Sequence, residues 1–179
     1  MAVIVVSACL LGYPVRYDGS ALRPDGSWLG GVAGKHTLCP FCPEAAAGLP
    51  TPRPCAEITG GDGRDVLHGQ AEVVDAEGRS LTAVFLAAAG KTLELCRNQG
   101  ADMAILAEKS PSCGSSSIYD GTFSGRRQAG VGVTAALLIE SGIAVFSQHQ
   151  LTGIASFAAR DPDGSGQYPS RSAITCRQP

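Results

Sequence analysis

An apolar run that stops at a polar, cysteine-bearing loop limits the possible folds of this chain more than any other feature. Residues 103–107 are Met-Ala-Ile-Leu-Ala, and residues 109–114 are Lys-Ser-Pro-Ser-Cys-Gly. A short apolar run bounded by Ser, Pro and Gly is typical of a buried strand that ends in a loop. The sequence therefore predicts a strand that delivers Cys113 to the end of a sheet.

Two further segments repeat this arrangement. Residues 3–6 are a β-branched run that leads to Cys9, and residues 37–41 lead directly to Cys42. In an open α/β sheet the carboxyl ends of the strands meet at one edge, where ligands bind. Three cysteines brought to one edge indicate a ligand set for a metal or a cluster.

Composition restricts the class of protein. The 179 residues are 44% hydrophobic and 17% charged, with a formal net charge of −2. We therefore expect one domain with a sizeable core and no nucleic-acid partner. No apolar run approaches about 18 residues and the start lacks a basic region, so we expect a cytoplasmic protein without a membrane span. In a reducing compartment, thiols more often bind metals or do chemistry than form disulfides.

The order of the apolar segments predicts an α/β fold, a single three-layer Rossmann-like domain with a mostly parallel sheet, over residues 1–159. Strands are predicted at 3–6, 37–41, 102–107 and 142–146, with an edge strand or hairpin arm at 66–74. Helices are predicted at 81–98, 130–140 and 151–159, the first of them capped by Ser80 or Thr82 and ended by Gly100. Residues 160–179 are expected to form a disordered tail, which excludes Cys176 from any site.

The start of the helix predicted at 130–140 is similar to a dinucleotide-binding fingerprint. Gly130, Gly132 and Ala135 have the spacing of that motif. However, no strand precedes it, and no acidic residue follows about 20 positions later. Close packing of the helix on the sheet explains these glycines better.

Cys39 and Cys42 form a Cys-x-x-Cys pair that has two established meanings. It is half of a zinc knuckle, or a redox-active dithiol at the start of a helix. A zinc site needs four ligands, and only Cys55 or His36 is near enough in sequence to add easily. The dithiol hypothesis gives no role to the loop that carries Cys113.

A third interpretation uses Cys9, Cys42 and Cys113 together. Iron–sulfur clusters are held by thiolates, normally four, so three would leave one iron open as a Lewis acid. Such an iron binds soft donors such as sulfur. The competing explanation is that these are unreactive buried thiols, since cysteine is among the most buried residue types.

A short repeat accompanies two of these cysteines. Tyr-Asp-Gly follows Cys9 at residues 17–19 and follows Cys113 at residues 119–121. The repeat predicts two similar half-sites, with chance recurrence as the competing explanation.

Six segments resemble the 2-thiouracil desulfurase family. They are Ser-Ala-Cys-Leu-Leu-Gly at 7–12, Arg-Tyr-Asp-Gly at 16–19, Cys-Pro-Glu at 42–44, Gly-Leu-Pro-Thr-Pro-Arg at 48–53, Ser-Pro-Ser-Cys-Gly at 110–114 and Tyr-Asp-Gly-Thr-Phe at 119–123. They occur in order across residues 3–146, so the resemblance is specific. Cys39 departs from the family pattern, which has an apolar residue there, and this makes the Cys-x-x-Cys spacing accidental.

The resemblance implies a [4Fe-4S] cluster held by Cys9, Cys42 and Cys113. It also implies a non-redox reaction in which a small-molecule thiolated pyrimidine base, similar to 2-thiouracil, loses its sulfur as hydrosulfide and becomes the oxo base. Two alternatives stay open. They are a thiol–disulfide oxidoreductase that uses Cys39 and Cys42, and a non-enzymatic protein that binds a metal or a cluster.

The reaction needs a group that takes a proton from water, and Glu44 is the candidate general base because it lies two residues from Cys42. Its alternative role is a favourable charge at a helix start. Ser110 and Ser112 flank Cys113 and are candidates for holding the base or the water. Hydrogen bonds within a turn are their alternative role.

Overall fold

The chain combines strands and helices in a mixed order, with helices between most of the strands. The computed structural model describes residues 2–22, 32 and 35–159. The tail predicted at 160–179, with Cys176, lies outside the described residues. The elements are, in chain order, β1 Val3–Ser7, a 3₁₀ turn Ala8–Leu11, β2 Thr37–Phe41, α1 Pro43–Ala46, β3 Ala56–Thr59, α2 Gly63–Leu67, β4 Glu72–Asp75, α3 Thr82–Gln99, β5 Ala101–Leu106, β6 Ser117–Tyr119, β7 Arg127–Ala129, α4 Val133–Glu140, β8 Ala144–Ser147 and α5 Leu151–Ala158.

Four parallel strands form the central sheet, in the order β2-β1-β5-β8. β1 lies inside this sheet, and its residues Ile4, Val5 and Val6 are almost completely buried. Continuous burial is typical of a parallel strand that is covered on both faces. Helices flank the sheet, so the predicted three-layer α/β class with a parallel sheet is confirmed.

The region 66–74 differs from the predicted strand. Helix α2 covers its first residues and only β4 is extended, pairing with β3 in an antiparallel hairpin. Asp62 and Asp65 explain the helix, because they form a capping box. The Asp62 side chain accepts a hydrogen bond from the Arg64 N–H, and Asp65 accepts one from the Asp62 N–H, each at 2.8 Å. These bonds satisfy N–H groups that a helix start leaves without partners.

The long helix α3 begins and ends close to the predicted bounds. Gly100 ends it in the left-handed conformation, with a φ of 57°. The predicted cap is wrong, because Leu81 is the N-cap residue and no side chain caps the helix. The Thr82 hydroxyl instead accepts a hydrogen bond from the Val73 N–H at 3.0 Å, which ties α3 to β4. Neither α3 nor any other helix within the described residues is long and apolar enough to cross a membrane.

Helix α4 starts in contact with the loop that carries Cys113. The N–H groups of Gly132 and Thr134 donate to the carbonyls of Gly114 and Ser112 at 2.8 and 2.9 Å. A Cβ atom on Gly132 would lie 2.4 Å from the carbonyl carbon of Ser112. The glycine is therefore required by close backbone packing, but against the loop that carries Cys113 rather than against the sheet as predicted, and this packing fixes the position of the loop.

Gly132→Ala is expected to destabilise the protein by about 1–3 kcal/mol, because the methyl group displaces the backbone at Ser112. Urea denaturation measures the change. Gly90→Ala is the matched control, since Gly90 lies in α3 with no atom near its missing Cβ. This control is expected to stabilise the protein by about 0.5–1 kcal/mol. Equal effects of the two alanines would contradict the packing explanation.

Candidate active site

The three predicted ligand cysteines lie at the carboxyl edge of the sheet, on three neighbouring strands. Cys9 is in the 3₁₀ turn after β1, and Cys42 is the N-cap residue of α1 after β2. Cys113 is in the loop after β5. β1 lies between β2 and β5, so the strands that follow β1 in the sequence are added to the sheet on both of its sides. Open α/β sheets bind ligands at such a switch point in strand order.

One cavity of about 460 Å³ is lined by all three cysteines. This volume is within the usual range for sites that bind small molecules. The cavity has a mixed lining of polar and apolar side chains. Its polar part includes Glu44, Arg53, Glu57, Ser110, Tyr119 and His149, and its apolar part includes Phe41, Leu49, Leu81 and Phe85.

The three thiols are free and close enough to influence one another. Burial raises the pKa of Cys9 to about 11, and the neighbouring Cys42 adds to the increase. Burial also raises the pKa of Cys42 and of Cys113, and Glu44 contributes to both increases. The thiols are therefore neutral at pH 7, and a bound cation is the natural partner for their thiolate forms.

The three thiols do not form a site for a single metal ion. Among the residues that the structure describes, no three His, Cys, Asp or Glu side chains converge closely enough to hold one metal ion. In an iron–sulfur cluster the thiolates bind different irons, so the sulfur atoms need not converge on one point. The zinc knuckle considered for Cys39 and Cys42 consequently has no ligand group in the described part of the chain.

Cys39 and Cys42 are not presented together to the cavity. Cys39 is completely buried on β2, where it pairs with Val5 in the core of the sheet. Cys42 is a free thiol on the cavity wall, whereas Cys39 is absent from that wall. This geometry does not favour the dithiol hypothesis.

Glu44 lies in the first turn of α1, as predicted, and forms an ion pair inside the cavity wall. The Arg53 Nε and Nη2 atoms both donate to Oε2 of Glu44, at 3.0 and 2.6 Å. The side chains of Arg53 and Glu44 are only 6% and 14% exposed. Among the described residues, nothing donates to Oε1 of Glu44, so one carboxylate oxygen is available to a bound molecule.

The two predicted serines have different positions. Ser110 lines the cavity, and its Oγ accepts hydrogen bonds from the N–H groups of Ser112 and Cys113 at 3.1 and 3.2 Å. Ser112 is completely buried and is not part of the cavity lining. Its hydroxyl lies 2.9 Å from that of Thr134 on α4. Ser112 is therefore placed to hold the loop rather than to contact a ligand.

Glu108 organises the loop that carries Cys113, and sequence analysis missed it. Its carboxylate accepts hydrogen bonds from the N–H groups of Ser115, Ser116 and Ser117, at 2.9–3.1 Å, and from two of their hydroxyls. Partial burial alone would raise the pKa of Glu108, but these hydrogen bonds hold it below its usual value. The bonds that need the ionised carboxylate are lost as the pH falls through that lowered value. The sequence does contain a pattern that could have indicated this role, since Glu108 is a charged residue between a strand and a run of three serines.

The Tyr-Asp-Gly repeat forms two matching turns at the cavity. The Asp18 carboxylate accepts from the N–H and hydroxyl of Ser20, and Asp120 accepts from the same groups of Thr122. Tyr17 and Tyr119 both line the cavity. The two copies of the repeat therefore have the same local structure as well as the same sequence.

The sheet and the cavity together define an α/β protein with a thiol-lined small-molecule site at the switch point of its strands. The model of the 2-thiouracil desulfurase family matches residues 4–150, and this chain belongs to that family. It is 44% identical over 151 residues to YbbK, an uncharacterized protein of Bacillus subtilis (strain 168). The aligned region covers 84% of this chain and 99% of YbbK. It is also similar to the solved structure of the [4Fe-4S]-dependent thiouracil desulfidase TudS, with 46% identity and a TM-score of 0.76 over 88% of this chain and 97% of that one.

Proposed function

We propose that this chain is an iron–sulfur-cluster-dependent desulfurase that removes the sulfur of a thiolated pyrimidine base such as 2-thiouracil. The observation that carries the proposal is the meeting of Cys9, Cys42, Cys113 and Glu44 around one cavity of suitable size for such a base. Membership of the 2-thiouracil desulfurase family supports the same reaction, as does the similarity to TudS, which is named as a thiouracil desulfidase.

Cys9, Cys42 and Cys113 would hold a [4Fe-4S] cluster as thiolates. The site offers soft thiol donors from three neighbouring strand ends, and three such ligands would leave one of the four irons open. When bound, the cluster supplies an open iron that acts as a Lewis acid toward a thiocarbonyl sulfur. Its positive iron would also offset the burial that favours the neutral thiols.

Glu44 is the proposed general base. In the net reaction the thiolated pyrimidine takes up one water and releases one hydrosulfide and a proton. A C–S bond breaks, a C–O bond forms and no electrons are transferred. Both protons of the attacking water must leave it, because the oxygen becomes a carbonyl: one departs with the sulfur as hydrosulfide, and the other is released, so a proton acceptor is needed beside the reacting carbon. Arg53 occupies Oε2 of Glu44 and so fixes the orientation of the carboxylate, while Oε1 is available to accept the proton.

Ser110 and Ser112 would have separate roles. The Oγ atom of Ser110 already accepts two backbone hydrogen bonds. Its hydroxyl proton is left to donate a hydrogen bond to the pyrimidine or to the attacking water. Ser112 would act on the position of Cys113 through its contact with Thr134. We therefore retain Ser110 as a candidate catalytic residue and assign Ser112 to positioning.

Anaerobically reconstituted protein is expected to convert 2-thiouracil to uracil and hydrosulfide in equal amounts, without an added reductant or oxidant. Chromatography measures uracil, a sulfide assay measures the released sulfur, and absorption at about 400 nm reports the cluster. Iron-free protein is the control and should be inactive. Cluster-loaded protein that forms no uracil would contradict the proposal, and a requirement for a dithiol reductant would indicate the oxidoreductase instead.

A further inference from the structure

A second carboxylate, that of Glu57, lines the same cavity as the three thiols. Glu57 lies on β3 and is only 7% exposed. No Lys, Arg or His within the described residues forms an ion pair with it. A buried carboxylate without a cation needs hydrogen-bond donors for both of its oxygens.

One oxygen of Glu57 is fully used by the turn that follows Tyr119. Oε2 accepts hydrogen bonds from the N–H groups of Gly121 and Phe123, at 2.9 and 3.0 Å. Gly121 has a φ of 84°, and a Cβ atom there would lie 2.5 Å from the Ile58 carbonyl oxygen. The turn is therefore docked closely on β3, and Oε2 has no capacity left for a ligand.

The other oxygen of Glu57 has no partner in the protein. No donor of the described residues makes a hydrogen bond to Oε1. Because the side chain is buried and lines the cavity, the missing donor has to come from whatever occupies the cavity. An ionised carboxylate only accepts hydrogen bonds, so the occupant must present an N–H or O–H group.

We propose that Glu57 is a specificity-determining residue whose Oε1 accepts a hydrogen bond from a ring N–H of the pyrimidine base. This inference rests on the proposed function, because it takes the occupant to be such a base. Thiolated and oxo pyrimidines both carry ring N–H groups beside their thiocarbonyl or carbonyl groups. Glu57 would therefore select pyrimidine bases with an unsubstituted ring nitrogen, while Glu44 and the cluster that the thiols would hold face the reacting part of the molecule.

The first test is Glu57→Gln in the cluster-loaded protein. The glutamine carbonyl keeps an acceptor for the Gly121 and Phe123 N–H groups, but an NH₂ donor replaces the available acceptor. KM for 2-thiouracil is expected to rise about 10- to 100-fold, as for loss of a hydrogen bond to a charged group, with kcat within about threefold. Glu72→Gln, at an exposed glutamate on β4, is the matched control and should change neither constant.

The second test removes the donor from the ligand instead, and it needs no turnover. The dissociation constants of uracil, 1-methyluracil and 3-methyluracil are measured by calorimetry with both cluster-loaded proteins. One of the two methyl groups is expected to weaken binding about 10- to 100-fold in the natural protein and less than about threefold in Glu57→Gln. A difference between the two proteins smaller than about fivefold for both methyl groups overturns the inference.

Two further outcomes are distinguishable. If Glu57→Gln loses its iron or its fold, the natural protein alone decides, and binding that tolerates methylation at both nitrogens overturns the inference. If the natural protein shows the expected methyl selectivity but does not convert 2-thiouracil, the proposed function fails while the contact of Glu57 with a pyrimidine base is supported.

Discussion

Serine in place of Cys9, Cys42 or Cys113 is expected to remove most of the bound iron and to lower turnover of 2-thiouracil by more than about 100-fold. Losing a residue that merely orients a metal ligand typically costs about 10- to 100-fold, so losing a ligand should cost more. Each of the three thiols comes from a separate strand end, so serine at one of them leaves that strand end without a thiol at the cavity. Cys55, a further free thiol on the cavity wall, lies elsewhere, just before β3. Iron and sulfide per protein, with the absorption spectrum, measure the effect.

Cys96→Ser is the matched control for these variants. Cys96 is a free thiol that is completely buried in α3, away from the cavity. It should keep its iron and lose at most about 1–2 kcal/mol of stability through altered packing. Full iron retention in any one of the three ligand variants would remove that cysteine from the ligand set.

Glu44→Gln is expected to keep the cluster and to bind uracil, yet to lose about 10²-fold or more in kcat. Glutamine has nearly the same shape and can still accept from Arg53, so the cavity wall should stay intact. What it loses is the ability to take a proton. Steady-state kinetics, with the dissociation constant of uracil measured separately, distinguish loss of catalysis from loss of binding.

The exposed Glu72→Gln variant again controls for removal of a negative charge. Normal turnover by Glu44→Gln would leave Glu44 as the partner of Arg53 and a charge at the start of α1. The search for a base would then move to Glu57, since Asp18 and Asp120 are not part of the cavity lining.

The parts of the fold that the sequence predicts depend on local patterns. β-Branched and apolar runs mark β1 and β5, and the residues after each run necessarily lie at the strand ends, so the cysteines could be placed together. Helix α3 was bounded correctly because Gly100 is a local stop signal. The hairpin arm predicted at 66–74 begins too early for a local reason too, since the capping box of Asp62 and Asp65 starts a helix before it.

The residues that could not be predicted act on partners far away in the chain. Glu57 binds N–H groups more than 60 positions further on, and such bonds leave no local pattern. The orientation of Ser112, turned toward Thr134 and away from the cavity, depends on how α4 packs against the loop. Both residues are serines close before Cys113, so residue type does not distinguish their roles and only the fold does.

The three thiols follow β1, β2 and β5, so no short piece of this chain contains the whole site. A partly folded chain in which the central sheet has not closed would offer single thiols, and the cavity exists only in the folded domain. Any group that binds all three thiols therefore binds the native state alone and shifts the folding equilibrium toward it. The cofactor would act as a late cross-link between adjacent strands, so assembly of the cluster and maturation of the fold become a single linked equilibrium.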